Sequence, residues 1–287
     1  MYRSVFRPGL FDGKRVVVTG GGSGIGRCTA HELAALGAAL ALIGRNEDKL
    51  RAVQEELTRY GAAVSVHPCD VRDEARVRET LQSIAASGPI DALVNNAGGQ
   101  FLSPVQDISL NGWEAVVRTN LTGGFLVARE CFRASMREHG GAIVNIIADM
   151  WRSMPMMSHS GAARAGMLSF TETAAVEWAS YGIRVNAVAP GYIASSGFTK
   201  YPEEARPIFQ RMPEWVPLQR CGTEAEVSAA IVFLLSEAAA FITGSCLRVD
   251  GGAPNARVGW PLAAHDKSVP YRGFDGETHV DWLTRDK

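Results

Sequence analysis

Short apolar runs alternate with longer amphipathic stretches between Lys14 and Asp250. Since the runs lack polar alternation and amphipathic helices separate them, we expect a parallel sheet that is covered on both faces. The pattern therefore predicts an α/β fold with a doubly wound, seven-stranded parallel sheet and a ligand crevice beyond the carboxyl ends of its strands. The predicted strands are Arg15–Thr19, Ala39–Ile43, Val64–His67, Ala92–Asn95, Ala142–Ile147, Arg184–Ala189 and Cys246–Val249. The predicted helices include Ile25–Leu36, Glu47–Tyr60, Asp73–Ala86 and Glu224–Leu235.

Two segments interrupt this alternation. Residues 192–217 follow a strand and are rich in glycine, proline and aromatic residues, which is typical of a lid over a substrate site. Residues 253–287 are polar and aperiodic, so they form a C-terminal extension that is either disordered or packed on a neighbouring subunit. Residues 1–252 are predicted to be a single domain.

Composition narrows the class of protein. The chain has 287 residues, of which 46% are hydrophobic, enough for one large core. Its net charge of −1 argues against a nucleic-acid partner, and no apolar run is long enough to span a membrane. The first ten residues lack the apolar stretch of a signal peptide, and the five cysteines include no C-x-x-C pair. We expect a soluble, cytoplasmic protein with reduced thiols and no metal site.

A glycine-rich turn lies where the first strand must pass into the first helix. The sequence from Thr19 to Gly26 is Thr-Gly-Gly-Gly-Ser-Gly-Ile-Gly. Glycines permit a tight turn, and the N-terminus of the next helix offers N–H groups and a positive dipole end to a phosphate. The spacing differs from G-x-G-x-x-G, and a purely structural turn is the alternative. The candidate pyrophosphate-binding residues are Gly20, Ser23, Gly24, Ile25 and Gly26.

The end of the second strand bears on cofactor choice. An acidic residue at this place binds the ribose 2′-hydroxyl of NAD(H). Here the sequence is Ile-Gly-Arg-Asn, with Gly44 in place of the acid and Arg45 after it. A guanidinium binds a 2′-phosphate with its planar fork, so NADP(H) is favoured. The alternative is that Arg45 is an ordinary solvated arginine.

The stretch from Lys14 to Gly252 resembles the short-chain dehydrogenases/reductases, a family with a Rossmann fold. The motifs that carry this resemblance are Thr19–Gly26, Asp70-Val71, Asn95-Asn96-Ala97-Gly98, Asn120, Pro190-Gly191 and Val249-Asp250-Gly251-Gly252. The resemblance implies that Asp70 and Val71 flank an adenine. It also implies that Asn96, Ala97 and Gly98 line the ribose side. Pro190, Gly191 and Ile193 are then expected to contact the nicotinamide.

The catalytic centre departs from the family pattern of Ser, Tyr-x-x-x-Lys and Asn. Ser160 stands in place of the tyrosine, Arg164 in place of the lysine, and Ala148 in place of the upstream serine, while Asn120 remains. A serine hydroxyl is a weak acid and arginine retains its proton, so a Tyr/Lys proton relay is not expected. Ser160, Arg164 and Asn120 are still hydrogen-bond donors that can hold a ribose and stabilise an oxyanion.

An oxyanion site without a strong acid suits hydride addition to an α,β-unsaturated thioester, since this forms an enolate. The segments His159–Gly166 and Gly98–Pro104 closely resemble those of peroxisomal trans-2-enoyl-CoA reductases. The related 2,4-dienoyl-CoA reductases also replace the tyrosine but keep the lysine. Bacterial family members with a similar Ser/Arg site are citronellol/citronellal dehydrogenases of acyclic terpenoid catabolism.

Other residues near this centre have two interpretations each. Asp149 is a candidate acid or a solvated loop residue, and Tyr192 is a second candidate acid or a packing aromatic. His159 is expected to be structural. The apolar cluster of Trp151, Met154, Met156 and Met157 is either an acyl or terpenoid pocket or ordinary core.

Three functions follow from these residues. The first is an NADPH-dependent oxidoreductase of fatty acid or terpenoid metabolism that reduces the conjugated C=C bond of an enoyl-CoA-like substrate. The second is an alcohol/aldehyde dehydrogenase of acyclic terpenoids, and the third is a dinucleotide-binding protein without catalysis. By resemblance we also expect a homodimer or homotetramer built on two long helices, 108–139 (broken near Leu121) and 160–180.

Overall fold

The computed structural model of the protein describes residues 1–201, 203–256, 259, 261–274 and 280. Its strands are β1 (Arg15–Thr19), β2 (Ala39–Gly44), β3 (Val64–Pro68), β4 (Ala92–Asn95), β5 (Gly141–Ile146), β6 (Ile183–Pro190), β7 (Ile193–Ala194), β8 (Gly222–Thr223) and β9 (Cys246–Val249). Seven of them form one sheet in the order β3-β2-β1-β4-β5-β6-β9, and every pair is parallel. The predicted fold class is confirmed.

The helices are α1 (Gly24–Ala35), α2 (Glu47–Thr58), α3 (Glu74–Ala86), α4 (Leu110–Val117), α5 (Gly123–Cys131), α6 (Arg137–His139), α7 (Ser158–Glu177), α8 (Arg206–Gln210) and α9 (Glu224–Leu235). The side chains of Asn46 and Asp73 cap α2 and α3 by accepting backbone N–H groups. Between α4 and α5 the chain makes a π-helical turn, Arg118–Thr122. The sequence predicted a break near Leu121, but the backbone stays helical there and only widens into this π turn.

Both faces of the sheet are buried, which explains why its strands lack polar alternation. Val16, Val17 and Val18 have no exposed surface. Val16 and Val18 belong to the core beneath α1, α2 and α9, whereas Val17 belongs to the core beneath α3, α5 and α7. Successive side chains of a strand point to opposite faces, so each face receives apolar residues.

The described part of the segment 192–217 folds as short pieces around a small core, which it shares with Leu102, Cys221 and Val280. β7 pairs with β8 in parallel, and the buried residues Ala194, Phe209 and Met212 pack with Cys221. No helix in the described part of the chain is long and apolar enough to cross a membrane.

The described part of the C-terminal extension is ordered on this chain, which neither sequence-based alternative anticipated. The N–H of Tyr271 donates to Glu226 at 3.2 Å, and its carbonyl accepts from the Thr223 hydroxyl at 2.6 Å. Its own hydroxyl donates to the Arg3 carbonyl at 2.7 Å, which ties the two terminal segments together. The extension thus covers the start of α9. Residues 257–258, 260, 275–279 and 281–287 lie outside the described residues.

Candidate active site and dinucleotide cradle

The turn from β1 into α1 has the geometry of a phosphate cradle. Gly20 and Gly24 have φ values of +66° and +59°, a left-handed conformation that favours glycine. A Cβ at Gly26 would lie 2.3 Å from the Gly20 carbonyl oxygen, so a side chain is excluded there. Ser23 precedes α1 but its side chain makes no capping hydrogen bond, which leaves the first N–H groups of the helix to an external acceptor. These features fit a pyrophosphate.

Asn96 and Ala97 secure this turn from the neighbouring strand end. The Thr19 hydroxyl oxygen accepts the backbone N–H groups of both residues at 2.8 Å, and the Asn96 side-chain amide donates to the Thr19 carbonyl at 2.9 Å. The polar side chain of Asn96 is therefore committed to the protein itself. Gly98, two residues later, is the exposed member of the motif.

The expected adenine side carries an ion pair. Arg72 donates to both carboxylate oxygens of Asp70, at 2.9 Å from Nε and 2.6 Å from Nη2, and this pairing lowers the pKa of Asp70. Val71 is buried. Arg45 is exposed and makes no hydrogen bond or ion pair to any described residue, although its charge also lowers the pKa of Asp70. A free guanidinium therefore lies beside this region.

Asn120 lies in the π-helical turn and is 2% exposed. Its amide nitrogen donates to the Gly99 carbonyl at 2.8 Å, and its amide oxygen accepts the Gly99 N–H at 2.9 Å. The sequence predicted a donor for cofactor or substrate. The structure instead uses both ends of the amide to hold the loop after β4, which makes Asn120 a positioning residue here.

Ser160 and Arg164 lie one helical turn apart at the start of α7, as their spacing predicted. The Ser160 hydroxyl is buried and donates to the side-chain carbonyl of Gln100 at 2.8 Å. Arg164 donates from Nη1 to the Ile146 carbonyl at 2.7 Å, while its buried Nε has no partner among the described residues. Burial lowers the pKa of Arg164 to about 10, so the guanidinium is charged at neutral pH.

Asp149 and Tyr192 are close enough to interact electrostatically, at the ends of β5 and β6. Burial raises the pKa of Asp149 and the Asp250 charge raises it further, while Arg248 and the Trp151 N–H oppose the shift. Oδ1 of Asp149 is buried without a partner among the described residues, which disagrees with a fully solvated carboxylate. Burial and then the Asp149 charge raise the pKa of Tyr192, whose ring also packs against Trp215.

His159 is fully buried in the first turn of α7. Its Nδ1 accepts the Ser160 N–H at 2.8 Å, and its ring meets that of Phe101 edge-on at 4.4 Å. These contacts fit the structural role expected from the sequence. They also fasten the loop after β4 to the start of α7.

A largely apolar cavity of about 530 Å³ lies against the first turns of α7. Its lining includes Val105, Met150, Met154, Met156, Gly161 and Ala162. Of the predicted cluster, Met154 and Met156 thus face a cavity and Met157 does not line it. Trp151 instead lies under the guanidinium of Arg248 at 5.5 Å.

Gln100 is the residue that the sequence did not single out. It belongs to the Gly98–Pro104 segment, but nothing in that segment indicates a bond to Ser160. Only the folded loop brings the two side chains together.

Comparisons with known proteins identify the family of the chain. A family model described as Enoyl-(Acyl carrier protein) reductase matches residues 20–254. A protein of Bacillus subtilis (strain 168) named "Probable 2,4-dienoyl-CoA reductase" is 38% identical over 243 residues, which covers 83% of this chain and 96% of that protein. The solved structure of a citronellol catabolism dehydrogenase (AtuB) from Pseudomonas aeruginosa PAO1 is 57% identical, with a TM-score of 0.80 over 88% of this chain and 100% of that one. A gluconate 5-dehydrogenase from Burkholderia cenocepacia J2315, solved in complex with NADP and tartrate, is 33% identical, with a TM-score of 0.78 over 86% of this chain and 97% of that one.

The matched residues include the glycine turn from Gly20, the motif after β4 and the Ser160–Arg164 turn, and the seven-stranded parallel sheet is the one predicted from the sequence. The chain is therefore an oxidoreductase that belongs to the short-chain dehydrogenase/reductase family, whose members bind a nicotinamide dinucleotide.

Proposed function

We propose that the protein is an NADPH-dependent reductase of the activated C=C bond in an enoyl-CoA-like acyl substrate. The observation that carries this proposal is that Ser160 and Arg164 lie one helical turn apart at the start of α7. The hydroxyl and the charged guanidinium are both hydrogen-bond donors, and neither is an acid at neutral pH. When bound, NADPH supplies a hydride, and in an enoyl thioester the negative charge then develops on the carbonyl oxygen.

Ser160 is proposed to donate its hydroxyl proton to this oxygen as a hydrogen bond. The buried setting strengthens such a contact, because little water competes with it. Arg164 adds a positive charge nearby, and its unpartnered Nε is available to a ribose hydroxyl or to the oxyanion. Asn120 contributes indirectly by fixing the loop after β4.

Asp149 is proposed to hold the proton that the α-carbon receives. A carboxyl group whose pKa is raised by burial and by a neighbouring Asp250 keeps its proton to higher pH than a solvated one. Tyr192 lies beside it and is the second candidate for this step.

NADPH is proposed over NADH because of Arg45. Its exposed guanidinium makes no ion pair to a described residue, and Gly44 stands where an acid would bind the 2′-hydroxyl. The proposed cofactor contacts are the glycine turn, Arg45, Asp70 and Val71 at the adenine, Ala97 and Gly98 at the ribose, and Pro190, Gly191 and Ile193 at the nicotinamide.

A second candidate function is an alcohol/aldehyde dehydrogenase of acyclic terpenoids. The 57% identity to a citronellol catabolism dehydrogenase favours it, and a methionine-lined cavity suits a branched apolar chain. The segment 192–217 is proposed as the lid for either substrate.

The deciding experiment measures steady-state NADPH oxidation with crotonyl-CoA, with longer enoyl-CoAs and with citronellal. Reduction of the enoyl thioesters supports the first function, and turnover of citronellal alone supports the second. If NADPH binds but no substrate is turned over, the protein is a dinucleotide-binding protein without catalysis.

The protein is also proposed to be a cytoplasmic homodimer or homotetramer. Ala162 and Ala165 are exposed on α7, and small residues permit close approach of a second copy of this helix. A symmetric oligomer with this region near a two-fold axis is expected. A monomer by light scattering at micromolar concentration would contradict it.

A further inference from the structure

The hydroxyl of Ser160 is already bonded to a carbonyl oxygen of the protein. Its proton points to Oε1 of Gln100 at 2.8 Å, across 60 positions of sequence. A hydroxyl has one proton to donate, so Ser160 cannot serve a second acceptor while this bond exists. The carbonyl of a side-chain amide and the carbonyl of an acyl substrate are acceptors of the same kind.

Gln100 is held in this position from both sides of the crevice. Its amide nitrogen donates to the hydroxyl of Tyr201 at 3.2 Å, and Tyr201 belongs to the segment 192–217. Leu102 packs on the small core of that same segment. Phe101, between them, packs against the buried ring of His159, so Gln100 is fixed to both α7 and the segment 192–217.

Gln100 is nevertheless exposed, whereas Ser160 is fully buried. A rotation of the glutamine side chain moves its amide into water, where both of its polar ends find partners. Release therefore breaks two neutral hydrogen bonds, with Ser160 and with Tyr201, and water replaces the partner at each end of the amide. The Ser160 hydroxyl, by contrast, is buried and has no access to water as an alternative acceptor.

We propose that Gln100 is a placeholder that occupies the acceptor position of the substrate carbonyl at Ser160 until a substrate displaces it. This inference rests on the proposed role of Ser160 as a donor to a substrate oxygen. Gln100 is thus a positioning residue that orients the hydroxyl proton of Ser160. A carbonyl compound binds to Ser160 only if its binding free energy exceeds the cost of displacing the Gln100 amide.

Two variants at this position are expected to act in opposite directions. Gln100→Ala removes the competing acceptor and tightens carbonyl binding by about 2- to 10-fold, the effect of one neutral hydrogen bond. Gln100→Glu keeps the shape but offers a charged acceptor, whose bonds are roughly twice as strong, so binding weakens by about 10-fold. Tyr201→Phe loosens the placeholder and tightens binding by less than Gln100→Ala does.

The test uses hexanamide, a carbonyl compound without a reducible C=C bond, and measures its Kd by calorimetry on protein loaded with NADP⁺. Gln106→Ala, the same substitution at an exposed residue nearby, is the control and leaves Kd unchanged. In the Ser160→Ala background, Gln100→Ala has no further effect, because the donor for which it competes is gone.

Three results would overturn the inference. They are weaker binding in both Gln100 variants, tightening by Gln100→Ala that persists without Ser160, and no hexanamide binding in any variant. Because the probe is not reduced, the expected pattern is observable even if enoyl thioesters prove not to be substrates. In that case the proposed enoyl reductase function is wrong, but the proposal that Gln100 competes with a bound carbonyl for Ser160 is supported.

Discussion

Gly98 lies directly against the guanidinium of Arg164. A Cβ at residue 98 would stand 2.6 Å from Nη2 of Arg164, closer than such atoms approach, and 2.9 Å from Oδ1 of Asn120. The loop after β4, the π-helical turn and α7 therefore converge on a point where a side chain at residue 98 fits only if Arg164 or Asn120 shifts. The charged group that replaces the family lysine depends on this glycine for its position.

Gly98→Ala is predicted to displace Arg164 or Asn120 and to lower turnover by roughly 100-fold, since small misplacements of catalytic groups are costly. Gly99→Ala is the matched control, because a Cβ at Gly99 meets no atom within 4 Å. The measurement is kcat of both variants together with their thermal unfolding. Equal activity in the two variants would mean that Arg164 needs no such clearance.

The sheet was predictable from the sequence because its physical cause is local. Strands such as Val16 to Val18 are apolar at every position, and the helices between them are amphipathic, so both faces had to be covered. The positions of Ser160 and Arg164 were predictable for a similarly local reason, because residues four apart lie on the same face of a helix.

Contacts between distant loops could not be predicted in this way. The bond from Ser160 to Gln100 and the use of both ends of the Asn120 amide by Gly99 depend on how the loop after β4 folds. The packing of Tyr271 on Glu226 was missed because the extension shows no periodic pattern. Such contacts follow from tertiary placement and not from residue spacing.

Arg45→Ala is predicted to weaken NADPH binding by roughly 10- to 100-fold, the loss expected for one charge-assisted contact. NADH affinity changes little, because NADH has no 2′-phosphate. Arg51→Ala, which removes an exposed arginine paired with Glu47 on the next helix, is the control. Fluorescence titration with both cofactors gives the answer, and equal losses for NADPH and NADH would refute this role of Arg45.

Ser160→Ala is predicted to slow enoyl reduction by roughly 10- to 1000-fold, the range found when one oxyanion donor is removed. NADPH binding is retained, since the cradle lies at the start of α1. Ser169→Ala, at an exposed position of the same helix, serves as the control. Full-rate reduction by the Ser160→Ala enzyme would exclude this serine from the oxyanion site.

Glu32→Gln is predicted to stabilise the protein progressively as pH rises. Glu32 is fully buried and accepts a hydrogen bond from the Ser4 hydroxyl at 2.8 Å, but burial raises its pKa above the ordinary value of 4.5. The stability it contributes is therefore present below that ordinary value and is lost as pH rises through the raised value. Glutamine has no such loss, so the Tm difference between variant and parent grows from acidic to alkaline pH.

Glu56→Gln is the control with the opposite sign. Burial tends to raise the pKa of Glu56, but hydrogen bonds from Arg27 and His31 outweigh it and the pKa is lowered. Its contribution is present above the ordinary value and is lost as pH falls, so this variant is destabilised near neutral pH. Parallel trends in the two variants would contradict both assignments.

If Asp149 supplies the α-proton, the rate of enoyl reduction falls as pH rises through the pKa of its carboxyl group, since only the protonated form is an acid. This fall in rate is the descending limb of the pH–rate profile. Asp250→Asn removes the negative neighbour that helps to raise the pKa of Asp149, so the limb moves to lower pH. The asparagine keeps an Oδ1 acceptor for the Gly252 N–H, which Asp250 accepts at 2.8 Å. Arg248→Gln removes the opposing positive charge, so the limb moves to higher pH.

The measurement is kcat against pH for the parent enzyme and for the Asp250→Asn, Arg248→Gln and Asp149→Asn variants. In Asp149→Asn the limb disappears and turnover slows, whereas Tyr192→Phe leaves the limb in place. Opposite displacements by Asp250→Asn and Arg248→Gln are expected if Asp149 is the titrating group. Because the same two charges also shift the pKa of the Cys246 thiol in these directions, the loss of the limb in Asp149→Asn is the result that assigns it. An unchanged profile in Asp149→Asn would return this residue to a structural role and leave the proton to Tyr192 or to water.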